Sequence, residues 1–183
     1  MKSQFLAAVA RAPIGDPLRS DVLFGPVINQ AAADRILKTI ERAVTQGFGE
    51  LVLGGNRIGG ELAAGFYVEP TVFADVDNSS PLAQQETFGP VVSVMRFRDD
   101  AQAVDLANDT RYGLNAFVHT TNLQRAHTVS RLLQAGSVWV NTRSDIQPQS
   151  PYGGYKHSGI GRSGGVEGLR EFRQTKNIRI KVS

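Results

Sequence analysis

Apolar residues recur at Ala33, Ile36, Ile40 and Val44, with charged positions between them. Intervals of three and four residues place them on one stripe of a helix. Asn29 is a good N-cap for that helix, which runs to Gln46 and is ended by Gly47. Leu51-Val52-Leu53 reads as a short buried strand closed by Gly54-Gly55. Phe66 to Val76 reads as extended chain interrupted at Pro70, hence as an edge or bent strand. Val91 to Phe97 and Leu114 to His119 are further strands, separated by a helix from Ala101 to Asn108. Asp99-Asp100 is read as the cap of that helix rather than as a catalytic carboxylate pair, because acids favour helix N-termini. Asn122 caps a helix to Gln134 with Leu123, Ala126, Val129 and Leu133 inward, and Gly136 stops it. Ser137-Val138-Trp139-Val140 is a buried strand. Ser3 to about Arg11 reads as the end of a helix, as if something preceded Met1. Strand and helix alternate, so the expected class is α/β, a mainly parallel sheet flanked by helices.

Composition narrows the possibilities. Of 183 residues, 41% are hydrophobic and 20% charged, which suits a soluble domain with a sizeable core. No run approaches the roughly 18 apolar residues of a membrane span. No secretory leader is visible at Met1-Lys2-Ser3, so a cytoplasmic location is expected. The net charge of +3 is concentrated after Arg143. Without aromatic interleaving it reads as a solvated face, not a nucleic-acid surface. The chain contains no cysteine, which excludes disulfides, thiolate metal sites and any cysteine nucleophile of its own. His119, His127 and His157 lack metal-ligand spacing, and no metal is expected.

The stretch from Gln84 to Val92 carries the most chemistry. Glu86 can accept two hydroxyl hydrogen bonds, as from a ribose, and Phe88 can offer a flat apolar face to a ring. Gly89-Pro90 turns the chain into the next strand. An ordinary turn glutamate beside a half-buried core phenylalanine fits the same residues. Gly159-Ile160-Gly161-Arg162-Ser163-Gly164 matches G-x-G-x-x-G, but no hydrophobic strand precedes it, as a dinucleotide fingerprint requires. It reads instead as a glycine-rich loop leading into a helix from Gly165 to Arg173.

Seven motifs occur in order along nearly the whole chain. They begin with Gly15-Asp16-Pro17-Leu18, Gly25-Pro26 and Gly65-Phe66-Tyr67-Val68-Glu69-Pro70-Thr71-Val72. Gln85-Glu86-Thr87-Phe88-Gly89-Pro90-Val91 follows, then Ala107-Asn108 with Tyr112-Gly113-Leu114, and Ala135-Gly136-Ser137-Val138-Trp139-Val140-Asn141. The last is Ser150-Pro151-Tyr152-Gly153-Gly154-Tyr155-Lys156 with Ser158-Gly159-Ile160-Gly161-Arg162. In these the chain resembles the C-terminal part of the NAD(P)-dependent aldehyde dehydrogenase superfamily. The resemblance implies a catalytic-domain-like fold truncated at its N-terminal side, with residues 1–176 a partial catalytic domain and 177–183 an oligomerisation strand.

That resemblance implies roles. Glu86 would hold the nicotinamide-ribose hydroxyls of NAD or NADP, with Phe88 near the nicotinamide. Arg143, Ser144, Ile146 and Tyr152 would line the aldehyde tunnel. Arg143 suits an anionic aldehyde or is simply an exposed rim arginine, and Tyr152 is an aromatic wall or core packing. The family's cysteine nucleophile, glutamate base and coenzyme-binding domain lie N-terminal to the part represented here, so no catalytic residue is assigned. The expected role is a fragment of an aldehyde-oxidising enzyme, inactive alone and not binding coenzyme tightly. A non-catalytic assembly or regulatory module derived from the family is the alternative. Homo-oligomers through residues 177–183 are expected, with neither nucleic acid nor membrane as partner. Ser163 stands where the family usually has glutamate, which puts a proton relay there in doubt.

Overall fold

The computed structural model describes residues 2–182 and divides into two units, one ending at Arg96 and one beginning at Phe97. Among the described residues, no helix is long and apolar enough to cross a membrane.

The first unit contains α1 (Lys2–Ala10), α2 (Gln30–Thr45), β1 (Glu50–Leu53), β2 (Thr71–Ala74), α3 (Pro81–Gln84) and β3 (Val91–Ser93). The α2 start follows from local chemistry. The Asn29 side chain accepts a hydrogen bond from the Ala32 amide at 2.8 Å, satisfying a donor the first turn leaves free. Its buried stripe is Ala33, Ile36, Ile40 and Ala43. Val44, expected inward, is half exposed. Ala43 and Val44 both continue the helical spacing, and the core takes the smaller residue, which lets the following turn approach. The Phe48 amide donates to the Ala43 carbonyl, and Phe48 packs on the core.

The sheet of this unit runs β1-β2-β3, with β1 antiparallel to β2 and β2 parallel to β3. β2 is therefore the central strand and fully buried, so of the two readings its proline left open, edge or bent, the edge is excluded. Pro70 precedes the ladder, so its missing N–H costs no sheet bond. The strand begins at Thr71, whose amide donates to the Pro90 carbonyl at 2.7 Å. Phe73 and Val72 are buried here, and Phe73 joins Ile36, Ile40 and Leu82 in one core cluster. The Val91–Phe97 strand is shorter than expected, ending at Ser93, although the Val94 amide still donates to Phe73.

The second unit contains α4 (Asp100–Asn108), β4 (Asn115–Val118), α5 (Leu123–Leu132), β5 (Ser137–Val140) and α6 (Gly165–Glu171). β4 and β5 pair in parallel, Asn115 opposite Ser137 through Val118 opposite Val140. α5 packs on both strands and on α4. Asp99 caps α4 by accepting from the Gln102 amide at 2.8 Å, and Asp100 pairs with Arg125 at 2.7 Å, so this acidic pair is structural. On α5, Ala126 is buried but Leu123, expected inward, is 73% exposed. It is the first residue of the helix, directly after the Asn122 cap.

Parallel pairings join β2 to β3 and β4 to β5, in agreement with the α/β class expected from the alternation. Residues 174–182 form no strand within the chain and are exposed. Ser183 lies outside the described residues.

Candidate functional site

Ser80 caps the short helix α3, and Pro81 fixes its first turn. Asp77 sets up that turn: its carboxylate accepts from the amide and the hydroxyl of Ser79, both at 2.9 Å. These bonds, the backbone amide first and the hydroxyl second, hold the Asp77 carboxyl below its ordinary range. The chain leaves α3 at Gln85 in an extended conformation. The next residues, Glu86, Thr87, Phe88 and Gly89, line an open hollow of about 330 Å³ together with Leu82 and Val91.

Both residues singled out here lie on the same hollow, and Glu86 is exposed. Among the described residues no donor is bonded to its carboxylate, so both oxygens are available to hydroxyls. Phe88 is 78% exposed and therefore not a core residue. Its φ of 47° is left-handed, a region that costs a non-glycine residue about 1–2 kcal/mol. An exposed aromatic ring on a strained backbone is a feature the fold maintains against local preference. A carboxylate with free acceptors and an aromatic face two residues away suit a ribose-bearing planar ring.

Two α2 residues hold this segment. The Arg35 guanidinium donates through Nη1 to the Thr87 carbonyl at 2.5 Å. Ile36, buried in the core, fills the space beneath Gly89. Sequence reasoning missed both, because partners so distant along the chain, 52 residues for Arg35 and Thr87, leave no local signal.

In the second unit, Arg143, Ser144 and Ile146 share the exposed loop after β5. The loop begins at Asn141, whose φ is 54°. The Asn141 side chain accepts from the Thr120 amide at 2.9 Å and donates to the Thr120 carbonyl at 2.8 Å, tying off the end of the β4–β5 pair. Further on, the Trp139 indole donates to the Asp145 carbonyl at 3.3 Å. Phe117 stacks on Trp139 with ring centroids 5.2 Å apart.

Tyr152 is held separately from that loop. Its amide donates to the Ser163 carbonyl at 2.7 Å and its carbonyl accepts from the Ser163 amide at 2.8 Å. Its phenol oxygen accepts from Asn115 Nδ2 at 3.3 Å, at the start of β4. The Ser163 hydroxyl donates to the Tyr152 carbonyl at 3.2 Å, so it serves the backbone pairing. Arg162 donates to the carbonyls of Gly154 and Gly161 and lies over the Tyr155 ring. The glycines of this segment are needed for close approach. A side chain at Gly136 would strike the Gly153 carbonyl oxygen, so the Tyr152–Gly154 backbone lies directly against the start of β5.

A sequence model described as the aldehyde dehydrogenase family matches residues 1–178. The chain is 38% identical over 180 residues to an aldehyde dehydrogenase of Emericella nidulans, covering 98% of this chain and 35% of that protein. It is 40% identical over 179 residues to an aldehyde dehydrogenase of Alternaria alternata, with the same two shares. Among solved structures, an NAD-dependent aldehyde dehydrogenase from Sinorhizobium meliloti superposes with a TM-score of 0.91 at 40% identity, covering 98% of this chain and 35% of that one. A betaine aldehyde dehydrogenase from Staphylococcus aureus in complex with NAD+ gives a TM-score of 0.89 at 36% identity, covering 93% and 34%. The chain thus spans about 35% of the length of the curated relatives it matches. With both a family match across the chain and these relatives, the chain belongs to the aldehyde dehydrogenase family.

Proposed function

We propose that this chain supplies part of the coenzyme and aldehyde walls of an NAD(P)-dependent aldehyde dehydrogenase and does not catalyse the reaction alone. The observation that carries the reading is the hollow where Glu86, with both carboxylate oxygens free, stands beside the exposed ring of Phe88. A nicotinamide riboside fits that pair: Glu86 would accept from its ribose hydroxyls, and Phe88 would lie against the ring. When bound, the nicotinamide would supply the hydride acceptor for the oxidation of an aldehyde. The complex of the Staphylococcus aureus relative with NAD+ supports the choice of coenzyme.

Arg143, Ser144, Ile146 and Tyr152 would contribute the aldehyde side. Arg143 offers a fixed charge for an anionic aldehyde, and Ile146 and Tyr152 offer apolar surface. A thiol nucleophile would have to come from residues outside the 183, since these contain no cysteine. A cytoplasmic location accords with the cysteine-free composition.

The exposed, alternating end of the chain favours a second element of the reading. Ile178, Ile180 and Val182 are each more than 70% exposed and alternate with polar residues, as in a strand covered on one side. Residues 177–182 would pair with a sheet edge of a second copy.

Oxidised nicotinamide mononucleotide tests the coenzyme wall directly. Titrated into the ¹⁵N-labelled chain, it is expected to shift the amides of Glu86, Phe88 and Gly89, with weak affinity. Glu86→Gln should weaken that binding about tenfold, the scale of a charged hydrogen bond. Shifts scattered over the surface, or equal binding by the variant, would contradict the assignment.

A further inference from the structure

The peptide plane between Thr87 and Phe88 contains the Thr87 carbonyl and the Phe88 amide. Because that unit is planar, fixing the carbonyl fixes the plane, and with it one side of the Phe88 φ torsion. Arg35 fixes it, at 2.5 Å. Gly89, on the other side of Phe88, is seated on Ile36. Adjacent residues of one helix thus meet the chain on either side of Phe88. The helix is a firm base, capped by Asn29 and buried along Ile36, Ile40 and Ala43. Arg35 itself is exposed and forms no ion pair among the described residues.

From this we infer that Arg35 is a positioning residue of the site: through the Thr87 carbonyl it holds Phe88 in its left-handed conformation, with the ring presented on the hollow beside Glu86. The functional side of this inference rests on the coenzyme-wall reading above. Arginine suits the task because its planar guanidinium is directional as a donor. Glycine followed by Pro90 also restricts the backbone, but that restriction acts on Gly89 and does not orient the peptide before Phe88.

The test uses the full chain with Arg35→Met, which removes the donor at similar length, and Arg35→Lys, which keeps one. A residue at positive φ brings its amide proton and Hα unusually close, giving a strong intraresidue cross-peak in a ¹⁵N-edited NOE spectrum. That peak should be strong for Phe88 in the parent chain, weak in Arg35→Met and largely restored in Arg35→Lys. Binding of oxidised nicotinamide mononucleotide should fall about fivefold in Arg35→Met and recover in Arg35→Lys, the scale of an exposed charge-assisted bond. Unchanged Ile36 methyl shifts would confirm that the helix is intact.

A Phe88 cross-peak that stays strong in Arg35→Met overturns the inference. So does a lost cross-peak with unchanged mononucleotide affinity. If the parent chain binds no mononucleotide but the cross-peak responds as stated, the conformational role of Arg35 stands and the coenzyme reading falls.

Discussion

Ile36 occupies the space that a side chain at Gly89 would need. Its Cδ1 lies 2.5 Å from where that β-carbon would stand. Ile36 is buried in the core of the first unit, so it cannot swing away at little cost. Gly89→Ala should therefore destabilise that unit by about 1–3 kcal/mol. The cost should be smaller in an Ile36→Val background, which removes the Cδ1 atom. Urea unfolding of the four members of this cycle measures the coupling. Additive effects would mean that helix and loop do not press on each other.

Asn141 should matter more for its side chain than its exposed position suggests. Asn141→Ala loses two bonds to Thr120 and places alanine at a φ of 54°. We expect a loss of about 1–3 kcal/mol. Asn141→Gly loses the same bonds but tolerates the torsion and should fall nearer the lower end. Trp139, the one tryptophan of the chain, lies two residues away and reports unfolding of this unit by fluorescence.

The turn before α3 should loosen in acid. The Asp77 carboxyl is held below its ordinary value, chiefly by the Ser79 amide and then by the Ser79 hydroxyl. A carboxyl depressed in the folded state stabilises the fold above its unfolded value, and that contribution disappears as pH falls through the folded value. The window accordingly lies at and below the ordinary aspartate range. A carboxyl-detected NMR titration should show Asp77 titrating low, and Ser79→Ala should move it part of the way back. An Asp77 that titrates normally in the parent chain would contradict the geometry.

The segment 177–182 should mediate self-association. Light scattering is expected to give a dimer or larger species, and Ile180→Asp should shift it to smaller species by placing a charge on the apolar side of the segment. A monomer at high concentration in the parent chain would remove the second copy from the account.

Local signals in the sequence were reliable where the physics is local. Asn29, Asp99 and Asn122 each cap the helix expected of them, because a side chain bonds to an amide three residues on. The ordered motifs pointed to the family on their own. What failed depends on distant partners. Pro70 left its strand open as an edge or a bent one, and β2 is central, because strand order is set by β1 and β3. Val44 and Ala43 are equivalent in spacing, and only the packed core chooses between them. Glu86 and Phe88 were legible as a candidate pair, but the positive φ of Phe88 and its support from α2 were not. Neither the Arg35 bond nor the Ile36 contact leaves a pattern near residue 88.

Aldehyde-dependent NADH formation tests the central claim most directly. It would be measured with the purified chain, alone and together with the remaining part of the fold supplied by the Sinorhizobium meliloti relative. The account predicts no rate above the blank for the chain alone, and a rate in the complex that Glu86→Gln lowers. Activity of the chain alone that follows the protein through purification would contradict it, as would a well-folded complex with no activity.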